Sequence, residues 1–373
     1  MTQIANYINS YSDNTAYSAD QSKDYPNISY IQGTDEVKWY KYDPDHIVAV
    51  YNVTSTSSAT KLLGDTRNIT KMWIDGVEQQ SIQANYTFST TGKHTVKYYL
   101  SITSLYHFRQ CNSLISITLP NNINSVSGFY DCSNLTSVIV PNATNFERQC
   151  FYYCTKLKSI NSKTDGVCIL PNETTTIGEE AFIGCSSIKS ITIPSTVTSL
   201  GVNVFNYCGG LTNITVDSGN TTYDSRNNCN AIIETATNTL ILGCQNTIIP
   251  NSVTSIGVRA FQNGDTSVII PNSVTSIGAY AFEMFYNNKK IINVTIGTGV
   301  NSIGNYAFGS SSGSVSRQIT FTLYAITPPT IDNSVFGGLN NYTIYVPSES
   351  VNAYKAATNW STYASRIQAI PTT

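Results

Sequence analysis

The residues best suited to chemistry in this 373-residue chain are nine cysteines and three histidines, and their spacing decides what they can do. No two cysteines follow the C-x-x-C pattern that most zinc and redox motifs need. Cys111, Cys132, Cys154, Cys185 and Cys208 each stand three residues after a phenylalanine. That recurrence fits a small buried residue filling one position of a repeating unit. Cys150 lies four residues before Cys154 but at a different position of the same unit. Cys229 and Cys244 flank a hairpin pattern, Asn230–Glu234 and Thr239–Gly243. If Glu234 faces Thr239, these two thiols oppose each other about 4.5–5.5 Å apart at Cα, within disulfide reach. Free thiols are expected if the protein assembles in a cytosol. His46, His94 and His107 share no metal or relay spacing and read as structural. With no nucleophile elbow, phosphate loop or metalloprotease motif, a non-enzymatic protein without a cofactor is expected.

The elements around these residues repeat. Thr176-Ile177-Gly178-Glu179-Glu180-Ala181-Phe182 returns as Ser255 to Phe261, Ser276 to Phe282 and Ser302 to Phe308, with a looser copy from Ser199 to Phe205. Phe108, Phe129, Phe151 and Phe336 mark further units. Such recurrence means stacked units, none able to bury its apolar face alone. Each unit carries an alternating strand closed by proline, such as Leu114 to Pro120, with Leu114, Ile117 and Leu119 inward and Ser116 and Thr118 outward. A second short strand precedes the glycine, which is expected to supply an unusual backbone turn. The phenylalanines are expected to stack as an internal spine. Upstream, Ile47 to Val53 reads as a strand, and Asp75-Gly76 signals a hairpin because both turn residues take positive φ. A second hairpin is expected around Thr91-Gly92.

These repeats resemble the BspA-like (Treponema-type) leucine-rich repeats, in which a strand, a proline, a second strand ending Ser-Ile-Gly, then Ala-Phe and Cys follow one another. Gly264, Phe285, Ser311 and Leu339 depart from the cysteine position, and residues 161–168 are an insertion. Thr343 to Pro347, Ser350 to Lys355 and Trp360 to Ile367 are similar to the family's C-terminal cap. Ile74 to Glu78 and Phe88 to His94 look like modules that precede such repeats in proteins of gut bacteria and their phages. The expected fold is therefore mainly β: a leucine-rich-repeat solenoid over 102–347 with a hairpin insertion at 217–247. A small β-sandwich-like domain at 46–101 precedes it, behind an N-terminal anchoring segment at 1–45, and a helical cap at 348–373 follows. In the anchoring segment, 27–31 and 36–40 alternate like two short strands.

Composition narrows the partners. Charged residues make up 12% of the chain and the net charge is -2, without the basic stripe that nucleic acid or an anionic membrane would require. Met1 to Ala19 is polar, without the basic start and apolar run of a leader, and no stretch is long enough to insert in a membrane. The 25 tyrosines suit recognition surfaces and β-strands alike. Thr118, Thr192, Thr215 and Thr295 are expected as a polar row on the sheet face. Tyr130, Tyr152, Tyr153, Tyr207, Tyr280, Tyr286 and Tyr306 are expected beside the phenylalanines on the loop side, and the two rows together form a candidate surface for a host protein or glycan. The segment carrying Tyr25, Pro26, Ile28, Tyr30, Ile31, Val37, Trp39 and Tyr40 resembles leading segments of gut tailed-phage virion proteins. The resemblance implies a phage fibre or decoration protein anchored through that segment to other virion proteins, with a second copy of the chain as a further candidate partner. The alternative is a bacterial or protist cell-surface adhesin.

Overall fold

The computed structural model describes residues 46–261, 267–283, 292–311 and 313–372, and the backbone of 28–31 and 38–41. Tyr25, Pro26, Val37, Gly264, Phe285 and Tyr286 lie outside them. Ile28–Ile31 and Lys38–Lys41 are strands, overlapping the two runs whose alternation predicts them, and they pair antiparallel with Tyr30 opposite Trp39. The chain divides into two compact units, Met1–Gly210 and Leu211–Thr373. Each is a mainly β solenoid of stacked coils.

In the first unit, the strands that follow each phenylalanine (Leu114–Thr118, Ser137–Ile139, Ser159–Ile160, Val167–Ile169 and Ser190–Ile193) pair in parallel, coil upon coil. The short strands before each phenylalanine, from Ser104–Leu105 to Ser199–Leu200, form a second parallel ladder. The second unit repeats the scheme. Ser267–Ile270, Asn293–Ile296, Ile319–Leu323, Tyr342–Val346 and Ile367–Ala369 make one ladder, and Leu240 through Ile331 the other.

The interior is the expected phenylalanine spine, formed within each unit. Phe108, Phe129, Phe151, Phe182 and Phe205 stack at centroid spacings of 5.5, 5.1, 5.4 and 5.1 Å. Phe261, Phe282, Phe308 and Phe336 stack at 4.7, 5.3 and 6.1 Å. These values follow the strand spacing of about 4.8 Å, since each ring rides on its coil. At the C-terminal end, Val351–Ala356 is helical and Trp360–Arg366 forms a 3-10 turn. Buried Tyr354 and Trp360 donate hydrogen bonds to Ala325 O (2.8 Å) and Pro329 O (2.7 Å), so aromatic area is buried while both polar tips are satisfied.

Residues 46–101 are joined to the solenoid more closely than their sequence suggests. His46–Val53 pairs antiparallel with Gly92–Leu100 on one side and with Leu114–Thr118, the first repeat strand, on the other. The Asp75-Gly76 hairpin is present, with φ of 48° and 87°. The second hairpin is absent: Asn85–Tyr86 pairs with Thr60–Lys61 instead. Both edges of Gly92–Leu100 are taken, by His46–Val53 and Ile69–Ile74, leaving no room for a third partner.

The glycine of the repeated phrase works differently from expectation. Gly178, Gly201, Gly278 and Gly304 do not take positive φ. A Cβ on Gly201 would lie 2.2 Å from Glu179 N, and one on Gly178 2.6 Å from Arg148 N. Close approach between coils, not turn conformation, demands glycine there. The left-handed residues sit two before and two after the phenylalanine: Gln149 and Tyr153 around Phe151, Glu180 and Gly184 around Phe182, Asn203 and Tyr207 around Phe205. This alternation turns successive N–H groups toward the next coil. Gln149, Phe151 and Tyr153 donate to Glu179 O, Ala181 O and Ile183 O at 3.0, 2.7 and 2.7 Å.

Candidate functional site

The buried thiols are closed to chemistry. Cys132, Cys154, Cys185 and Cys208 each donate Sγ–H to the phenylalanine carbonyl of the preceding coil, at 2.9, 3.0, 3.2 and 3.1 Å. Burial pushes Cys132 and Cys208 up to about 12 and also raises Cys150, Cys154 and Cys185 well above the ordinary thiol value. A thiolate is therefore absent at neutral pH. Cys229 and Cys244 are free thiols as well. They do not oppose each other: Glu234 faces Thr239, but a bulge between Ile232 and Ile233 shifts the register so that Ala231 faces Gly243. Cys244 Sγ–H donates instead to Asn230 O (3.3 Å).

The histidines hold structure. His94 bridges Asp75 Oδ2 (2.7 Å) and Thr90 O (3.0 Å), tying the hairpin turn to its neighbouring strand. Buried His107 bonds Arg67 O (2.7 Å), and desolvation lowers its pKa. Among the described residues, no His, Cys, Asp or Glu cluster could hold a metal ion, and no helix is long and apolar enough to cross a membrane.

The threonine row is interrupted. Thr118 is buried, as is Ser116, because the repeat strand carrying them adjoins His46–Val53, where both sheet faces are covered. Ile139 pairs with Thr118 and Ile169 with Thr192, placing apolar side chains in that register column. Thr215 is exposed on Asn213–Val216. Thr295 lies between Ile269 and Thr322, whose column continues to Tyr345.

The tyrosines assemble more fully. Tyr130 and Tyr152 stack face to face at 4.7 Å and 4°, and the Arg109 guanidinium lies 4.5 Å over the other face of Tyr130. All three occupy the position after the phenylalanine in successive coils. Tyr153 leans on Tyr152 at 4.8 Å, and its ring lies over Gly184, where a Cβ would come within 3.1 Å. In the second unit, Tyr280 and Tyr306 stack at 5.6 Å and 13°, with the Arg259 guanidinium 4.4 Å over Tyr280. Arg259 also pairs with Glu283, a fully buried carboxylate that accepts from Ser311. Each unit thus carries an Arg–Tyr–Tyr column. Partial burial and the neighbouring Tyr153 and Tyr130 raise the Tyr152 pKa, so its hydroxyl stays protonated and able to donate. The arginine caps were not read from the sequence, although Arg109 and Arg259 fall in the same coil positions as the tyrosines stacked beneath them.

Residues 80–167, 166–239 and 233–362 match the family described as BspA type leucine rich repeat region, in six copies. No curated protein matches the chain. Among solved structures, a leucine-rich repeat protein from Eubacterium ventriosum is similar at 24% identity and TM-score 0.43, over 64% of this chain and 65% of that one. A leucine rich cell surface protein from Faecalibacterium prausnitzii is similar at 21% identity and TM-score 0.36, over 74% and 90%. A leucine-rich repeat protein from Bacteroides ovatus is similar at 15% identity and TM-score 0.37, over 92% and 98%. The chain therefore spans just under two thirds of the Eubacterium protein's length.

Proposed function

Because the chain belongs to the BspA type leucine-rich repeat family, we propose that it is a non-enzymatic cell-surface protein that holds an external protein or glycan on the turn side of its coils. One observation carries this reading. Tyr153, Tyr207, Tyr280 and Tyr306 occupy left-handed backbone, with φ of 55°, 59°, 58° and 49°. A bulky ring there costs on the order of 1–3 kcal/mol, where glycine or asparagine would sit more easily. The repeat tolerates such residues, since Gly184 and Asn203 fill equivalent left-handed positions. Rings kept at that cost, two of them more than a third exposed, fit a contact role.

The virion role implied by the leading segment has no support in the family match, which begins at residue 80. Display at a cell surface replaces it, and residues 1–45 are proposed as a tether. Antibody labelling of intact cells that express the protein tests display. Labelling that appears only after permeabilisation overturns it.

A further inference from the structure

The two Arg–Tyr–Tyr columns share a composition but neither a coil position nor an electrostatic state. Arg259 is neutralised by buried Glu283 at 3.2 Å. Arg109 is exposed, and among the described residues no carboxylate pairs with it. Its guanidinium carbon lies 4.5 Å from the Tyr130 ring centroid, a cation–π contact that engages the face of the group and not its N–H donors. The ring faces of Tyr130 are covered on both sides, by Arg109 and by Tyr152. What this column offers a ligand is therefore edges and hydroxyls, not flat faces for stacking.

We infer that the Arg109–Tyr130–Tyr152 column binds a polymer of carboxylated sugars, the guanidinium forking a carboxylate and the phenols exchanging hydrogen bonds with ring hydroxyls. The inference rests on the surface-ligand reading above and names its ligand class. A carboxylate beside several hydroxyls on one unit is the chemistry that an Arg–Tyr–Tyr column complements. The 4.7 Å step between Tyr130 and Tyr152 does not match an extended peptide lying along the column. An extended peptide presents same-side groups about every 6.8 Å, two residues at about 3.4 Å each, and slips out of register within two coils.

Calorimetric titration of the full chain tests this with polygalacturonate, polysialate, methyl-esterified polygalacturonate and polyglutamate. The expected result is binding to at least one of the first two and at least about tenfold weaker binding to the ester if polygalacturonate binds. Arg109→Gln should weaken acidic-sugar binding roughly ten- to a hundredfold, the loss of one charge-assisted pair. Lys71→Gln, which removes an exposed cation on Ile69–Ile74 away from the turns, should leave it unchanged. No binding to either acidic sugar polymer, ester binding equal to acid, an unaffected Arg109→Gln variant, or preference for polyglutamate each overturns the inference. A protein displayed on cells that binds neither acidic sugar polymer sinks this assignment alone, whereas one found only inside cells sinks the surface reading.

Discussion

Gly201 stands 2.2 Å, measured from the Cβ it lacks, from the backbone of the coil before it. Gly201→Ala should therefore cost about 1–3 kcal/mol through overpacking, read as a lower urea midpoint. The recurring glycine is plain in the sequence but its reason is not, because coil separation is set by tertiary stacking. The thiols make a second residue-level prediction. With burial holding them protonated, native protein should give no fast-reacting cysteine with a thiol reagent at pH 8, and all nine should react once it is unfolded. Fast labelling of native protein would contradict the buried column. His107 gives a pH dependence. Its folded pKa is lowered by burial, so below about 6.5 the unfolded chain takes up the proton first. Stability should fall as pH drops from 7 toward 5, and His107→Gln should lose that part of the slope.

At the scale of elements, the turn around each phenylalanine combines a fixed interior with a variable rim. Phe182 stacks between Phe151 and Phe205, so Phe182→Ala should cost about 3–5 kcal/mol in denaturant unfolding. Tyr153→Asn should leave stability unchanged or slightly raised, since asparagine suits the left-handed position, while weakening ligand capture. A large loss of stability would make Tyr153 a packing residue. Strands with a strong local signal were legible: the Asp75-Gly76 turn, the Ile47 to Val53 strand and the parallel repeat strands. The missing hairpin at Thr91-Gly92 and the bulge that separates Cys229 from Cys244 were not. Both depend on which neighbour wins an edge, which alternation within a strand cannot reveal.

For the molecule as a whole, the repeated phrase made the solenoid legible, because stacking is written into every unit. The junction with residues 46–101 was hidden, since nothing in Leu114–Thr118 marks its antiparallel partner. Asn and Thr side chains also bind coil to coil. Asn134 donates to Asn112 O (2.7 Å), Thr144 to Asn124 O (3.0 Å) and Thr275 to Thr254 O (3.0 Å). The turns around the phenylalanines hand their N–H groups forward, each coil supplying donors to its successor and carbonyls to its predecessor. A duplicated coil would arrive with both requirements already met, whatever its rim carries. Lineages of this chain can therefore gain or shed turns, and with them contact positions, without redesigning the backbone that joins them.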